Sequence, residues 1–261
     1  MTAGTGTSAP APREVVEIAL SATGRADLAA VYDSANLLGI GDQPLRLAIR
    51  RLVAAGLVEQ VGRGRGGSIR STDEGRRRAA LDEAYWDFAV QQDEGLAPWD
   101  GRWRLVAFSV PESLRAERDR LRAALARLGA APLTPGLFVS PHDLVPALEA
   151  ETGGGIGRFL TTVVATDVQH AGRPVADDVA RLWPLDDLAA AYRELERVMD
   201  ARAADHRTGD DAAALAGHIA VHAALDRAMG PDPLLPRELL RPDWPGARAR
   251  ARVRREWLRP V

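Results

Sequence analysis

The sequence predicts an α+β protein in three parts: an N-terminal winged helix-turn-helix, a central ferredoxin-like sandwich and a mainly helical C-terminal domain. Three observations predict it. Residues 41–72, GDQPLRLAIRRLVAAGLVEQVGRGRGGSIRST, read as a helix, a strand, a basic glycine-rich turn and a second strand. Between residues 103 and 165, β-branched and aromatic runs alternate with helical patterns. After Pro174 the pattern is helical. The expected segments are a disordered tail over 1–12, the winged helix over 13–92, a linker over 93–102, the central domain over 103–173 and helices over 174–261.

The tail, MTAGTGTSAPAP, is low in complexity. Helical patterns follow over 13–20 and 26–38, the second through Leu28, Val31, Tyr32, Ala35 and Leu38. In the third helix Asp42 is positioned to cap the free backbone N–H groups. Pro44 sits in the first turn, where a missing N–H costs nothing. Leu45, Ala48, Ile49, Leu52 and Val53 form an apolar stripe at helical spacing. Gly56 stops the helix just past its C-cap. Asp73 opens another helix, reaching to about Val90, with Leu81, Ala84, Tyr85 and Phe88 on one face.

The face of the third helix opposite its apolar stripe carries Gln43, Leu47 and Arg50, flanked by Arg46 and Arg51. A helix fits the DNA major groove, where arginine bonds the O6 and N7 of guanine. Gln43, Arg46 and Arg50 are therefore the expected base readers. Arg51, with Arg63, Arg65 and Arg70 of the hairpin, is expected to hold phosphates or probe a minor groove, which a glycine-rich tip can approach closely. Residues 41–80 hold nine arginines against four acids, so this segment is basic in a chain whose net charge is −2. That concentration of charge is the nucleic-acid signal. All 34 basic residues are arginine, so a merely solvated arginine surface is the plainer reading. Spacing, turn and charge coincide here, and together they favour DNA.

In the middle, WRLVAFSV over 103–110, PGLFVSP over 135–141 and RFLTTVVA over 158–165 read as three strands. An amphipathic helix starts at Pro111, with Leu114, Leu121, Leu125 and Leu128 inward, and ends at Gly129. A short helix covers 143–149 and a flexible turn 153–157. This order suggests a split α/β sandwich of ferredoxin-like type. Further helices are expected over 175–182, 186–203, 210–229 and 247–258, while the prolines of 231–246 exclude a long helix there.

The composition narrows the chemistry. There is no cysteine, which excludes disulfides, thiolate catalysis and cysteine-based metal sites. No apolar run approaches ~18 residues and no signal-peptide pattern is visible, so neither a membrane span nor export is expected, and a cytoplasmic location fits. His218 and His222 lie at zinc-ligand spacing, but Ile219 stands where a metalloprotease needs Glu, and packing explains them better. GGGIG at 153–157 lacks the Lys-Ser/Thr of a phosphate loop. A Mg²⁺ nuclease wants clustered carboxylates, and the first central strand ends in Ser109, with Glu112 at a helix start. Asp177, Asp178, Asp186 and Asp187 read as helix-start residues. Trp183 and Tyr192 offer faces to an aryl or adenine ring, but aromatics make up only 5% of the chain and core packing is preferred. No catalytic residue, metal or cofactor is expected.

The sequence resembles the PaaX family of transcriptional repressors of aromatic catabolism. PLRLAIRRLVAAGLVEQVGRG, WRLVAFSVPESLRAERDRLRAALARLGAAPLTPGLFVSP, RLWPLDDLAAAYREL and DPLLPRELLRPDWPGARAR carry the resemblance across nearly the whole chain. It implies a central domain similar to Cas2, a homodimer on a palindromic operator, and release by an aryl- or acyl-CoA thioester. The family's recognition helix runs close to Val-Arg-Thr-Ala-Leu-Ser-Arg-Leu. Arg46 and Arg51 match its arginines, Leu47 replaces a polar residue and Arg50 adds a charge. The tyrosines of the family's wing are missing from GGSIRST. The leading expectation is thus a dimeric, ligand-responsive regulator on double-stranded DNA. The alternative is an enzyme acting on a CoA thioester or nucleic acid, with the winged helix as an accessory.

Overall fold

The structure, a computed structural model, describes residues 9–21, 23–153, 155–203 and 210–257. Its first elements are α1 (Pro12–Ser21), β1 (Arg25–Asp27), α2 (Leu28–Leu37), α3 (Asp42–Ala54), β2 (Val58–Val61), β3 (Ser68–Ser71) and α4 (Asp73–Asp93). Then come β4 (Trp103–Phe108), α5 (Arg115–Arg127), β5 (Ala131–Thr134), β6 (Leu137–Ser140), α6 (Val145–Thr152) and β7 (Leu160–Ala165). The last part holds β8 (Gln169–His170), β9 (Arg173–Pro174), α7 (Val179–Leu182), α8 (Leu185–Arg202), α9 (Asp211–Met229) and α10 (Pro245–Glu256). Two compact units divide these elements. One comprises Met1–Val90, Ala190–Met229 and Pro245–Val261, the other Gln91–Ala189 and Gly230–Trp244.

In the first unit β1, β3 and β2 form an antiparallel sheet in that order, with Ile69 of β3 between Ala26 and Gln60. Ile69 is buried, as are Val15 of α1, Leu28 of α2 and Leu45 and Leu52 of α3. The helix expected over 26–38 starts two residues later, because Arg25–Asp27 pairs with β3 instead. Three residues are too few for a period-2 signal, so only the partner strand reveals β1. In α3, Leu45, Ala48, Ile49 and Leu52 are buried as the spacing predicts, whereas Val53 is 40% exposed. Asp42 is not the cap. Gly41 holds that position without a side-chain bond, and Asp42 is the first helical residue. Gly56 has φ +69° just past the C-cap Ala55, as expected.

The helices of the C-terminal segment complete this unit. α9 packs against α1 and α2, and the buried Ser34 hydroxyl donates to Ala212 O at 3.0 Å. α10 lies along α8 through its arginines. Arg248 donates twice to Glu196, at 2.7 and 2.9 Å. Arg252 pairs with Asp200 at 2.8 Å. The buried Arg250 donates to the Tyr192 hydroxyl at 2.6 Å. Tyr192 is fully buried, so its ring is core. α4 runs to Asp93, into the expected linker. Its expected inner face also differs. Ala84 and Tyr85 are exposed, Ala89 is buried, and the Leu81 side chain lies outside the described residues. Leu258, expected to end the last helix, and residues 1–8 of the expected tail also lie outside them, while Pro12 already belongs to α1.

The second unit holds a four-stranded antiparallel sheet in the order β5-β6-β4-β7, the ferredoxin-like arrangement. β5 went unread in the sequence, where APLT with its proline shows only two apolar positions. The helix expected from Pro111 opens as a 3₁₀ turn, and Leu114 is 37% exposed rather than inward. Likewise 175–182 is a 3₁₀ turn followed by the short α7. α5 and α6 cover one sheet face, where Val106 and Phe138 meet Leu121, Leu125 and Leu148. The other face, with Trp103, Leu133 and Val139, is covered by Val179, Trp183, Leu188 and Leu235. Trp183 stacks on Trp103 at 6.3 Å and donates its indole N–H to Gly129 O at 2.8 Å. Its ring is therefore core, as the composition favoured.

Candidate nucleic-acid interface

The site is built on α3 and the β2–β3 hairpin. The apolar stripe of α3 packs inward, which turns Gln43, Arg46, Leu47, Arg50 and Arg51 outward. All five are exposed, and Leu47 is exposed over 47% of its surface. Among the described residues none of Arg46, Arg50, Arg51 and Arg63 has an ion-pair partner. An exposed leucine between arginines suits the methyl group of a thymine. Gly62 and Gly64, at φ +82° and +60°, turn the hairpin, and a 3₁₀ turn over Gly64–Gly66 forms its tip. Gly67 passes so close that a Cβ there would lie 2.7 Å from Val61 O. Arg63 stands exposed on this tight turn.

The other two hairpin arginines are engaged within the chain. Arg65 donates to Asp33 of α2 and, at 3.3 Å, to Asp42 of α3, and its guanidinium lies 5.3 Å from the Tyr32 ring centre. The hydrogen bond to Asp33 is the main reason its pKa is raised. Asp42 also accepts from Asn36 at 3.3 Å. The wing is thus tied to the start of the exposed helix, and one guanidinium offsets part of the charge of two carboxylates that would repel phosphates. Arg70 bonds Glu59 across the strands at 2.7 Å, in the register Glu59↔Arg70. Sequence reasoning placed Arg65 and Arg70 beside Arg63. Their partners lie up to 32 positions away, beyond any local pattern.

The remaining candidates have structural explanations. Glu112 pairs with Arg118 at 2.7 Å, and Asp186 with Arg241 at 3.3 Å. Asp178 lies 3.6 Å from Arg173. Gly153 is the left-handed C-cap of α6, and Gly154 lies outside the described residues. The His218 and His222 rings are 4.1 Å apart within α9, and burial pushes the His222 imidazole below its usual pKa. Among the described residues no three His, Asp or Glu side chains could hold a metal ion. An open cleft of about 210 Å³ in the second unit is lined by Val179, Leu185, Asp186, Leu239 and Arg241. No helix of the described residues is long and apolar enough to cross a membrane.

Residues 96–174 match the family model of the PaaX protein central Cas2-like domain, and residues 183–257 that of the PaaX-like protein C-terminal domain. The chain belongs to the PaaX family. The two matches together cover more than half of it, and the ferredoxin-like unit is the Cas2-like domain of PaaX proteins. The structure is similar to that of an uncharacterized protein, Rv0674, from Mycobacterium tuberculosis. Identity is 26%, over 94% of this chain and 92% of the other, with a TM-score of 0.56. No curated protein matches the chain. The likeness in structure extends into the N-terminal region, with its helices and wing-like hairpin, which the two family matches leave uncovered.

Proposed function

We propose that this PaaX-family protein is a DNA-binding transcriptional regulator, a dimeric repressor of a catabolic operon, working in the cytoplasm without a catalytic site. The carrying observation is the row of arginines 46, 50 and 51 on the outer face of α3, without ion-pair partners among the described residues, beside a wing anchored to that helix. Gln43, Arg46 and Arg50 read base edges in the major groove, and Leu47 adds an apolar contact. Arg51 and Arg63 hold phosphates, which position the helix without reading sequence. Arg65 and Arg70 act mainly by shaping the wing. Two such modules related by a two-fold axis select a palindromic operator. An aryl- or acyl-CoA effector, which the family supports, releases the operator by binding more tightly to a DNA-incompetent arrangement. As sequence segments we keep the domains at 13–92, 103–173 and 174–261. The helices of the last segment are shared between the two compact units.

Fluorescence polarisation against labelled DNA from upstream of the gene tests this reading. It is run at two salt concentrations with excess competitor DNA, because non-specific binding falls steeply with salt. Tight, competitor-resistant binding that an acyl-CoA reverses is expected. Binding to several upstream regions that competitor abolishes at both salts defeats the regulator reading.

A further inference from the structure

α4 is 21 residues long, which is about 32 Å at 1.5 Å per residue. Gly75 sits close against Leu57 O, and Ala89 is buried, so one side of the helix faces its own unit. Asp82 belongs to that side, where Glu17 of α1 adds to its raised pKa. The opposite side is bare. Arg76, Arg77, Ala80, Glu83, Ala84 and Asp87 are all exposed, and helical spacing sets them in one strip.

Charge along this strip is segregated. Its first turns carry Arg76 and Arg77, and its second half carries Glu83 and Asp87. Glu83 and Asp87 are four apart, a spacing at which like charges repel. Neither has an ion-pair partner among the described residues. Among the described residues Arg76 and Arg77 form ion pairs only with Asp73 and Glu74 of their own first turn, in exposed contacts that contribute little, and Arg76 also donates to Ser71 O at 2.8 Å. The strip is therefore complementary to itself when reversed. A two-fold axis beside the turn between Ala80 and Ala84 sets Arg77 of one helix opposite Asp87 of the other, with Glu83 about one turn, or 6 Å, further along and within reach of the arginine side chains. The two alanines at the crossing let the helix axes approach to the short end of the usual 8–10 Å.

We infer that the outer face of α4 docks antiparallel on the same face of a second copy of this chain, with Arg76 and Arg77 meeting Glu83 and Asp87. This rests on the dimeric regulator reading and gives its dimer an address. A pairing of this kind is isologous, as a two-fold operator requires.

Sedimentation velocity on the full chain, without DNA, tests it. The parent is expected to be a dimer at low micromolar concentration. E83R/D87R and R76E/R77E should each weaken the dimer roughly tenfold or more, and the four changes combined should restore most of it. Far-UV circular dichroism confirms that each variant is folded, since all four positions are exposed. A parent that is monomeric at tens of micromolar, double variants that dimerise like the parent, or a quadruple variant as dissociated as the doubles would each overturn the inference. So would loss of DNA affinity in R76E/R77E at unchanged mass, which would make these arginines phosphate contacts. The mass is read without DNA, so a dimer that lacks operator binding removes the regulator reading and leaves this interface standing.

Discussion

Arg65 at the tip of the wing donates to Asp42 in the first turn of α3, 3.3 Å away, and the same guanidinium bonds Asp33 at the surface of α2. A residue that looks like a DNA contact in the sequence thus joins three elements of the module that carries the proposed DNA face. Arg65→Ala should lower operator affinity by releasing the wing. The slope of log affinity against log salt should stay unchanged, because no phosphate contact is lost. Arg63→Ala should reduce that slope by about one unit. Polarisation titrations at four or five salt concentrations separate the two, and equal slope changes would show Arg65 on a phosphate.

Arg50 is the charge that departs from the family's recognition helix, and it stands exposed and unpaired on α3. If it reads a guanine, Arg50→Ala should cost about 1–3 kcal/mol of specific binding and relax the sequence preference at one operator position. Competition with single-base operator variants measures both. Unchanged affinity and preference would remove Arg50 from the base readers.

Gly129 ends α5 at φ +84°, and a Cβ there would lie 2.8 Å from Pro233. The Gly129 carbonyl also accepts the Trp183 indole N–H. Gly56 has a similar φ of +69° but nothing within 4 Å of its Cβ position. Gly56→Ala should therefore cost about 1 kcal/mol, the left-handed penalty alone. Gly129→Ala should cost more, about 2–4 kcal/mol, because a clash with backbone adds to it. Urea unfolding of both variants checks this, and equal losses would show that the close approach of Pro233 relaxes freely.

Asp226 of α9 has its pKa pushed up to about 6, first by desolvation and then by the like charges of Asp82, Glu14 and Glu17. The residue is exposed at the surface, so solvent screens much of this effect. The folded chain binds this proton more tightly than the unfolded one, whose carboxyl titrates near 3.8. The stabilisation is therefore present below that value and fades as pH rises through about 6. Asp226→Asn should raise the melting temperature at pH 7.5 and bring little gain at pH 4.5. A gain of the same size at both values would mean that the effect is not ionisation.

Parts of this molecule were legible locally. The buried stripe Leu45, Ala48, Ile49 and Leu52 and the stop at Gly56 follow from the sequence directly, since helical period and glycine dihedrals act over a few residues. The site was legible in outline for the same reason: the spacing that buries Leu45 and Leu52 also turns Arg46 and Arg50 outward. Val53 escaped this logic because it lies on the margin of the stripe at the last turn.

By itself, then, the sequence determined the order of the longer helices and of the strands β2, β3, β4, β6 and β7, the hydrophobic face of α3 and the arginine-rich character of the N-terminal unit. Only the tertiary structure decided which arginines are free. Among the described residues Arg46 and Arg50 find no carboxylate, Arg65 finds two, and the arginines of α10 find Glu196, Tyr192 and Asp200 on α8. It also decided that β1 and β5 are strands and that α9 packs on α1 and α2. The physical reason is common to all of these. A ladder hydrogen bond, an ion pair or a helix–helix contact joins residues far apart along the chain, and no local pattern of residues states its partner.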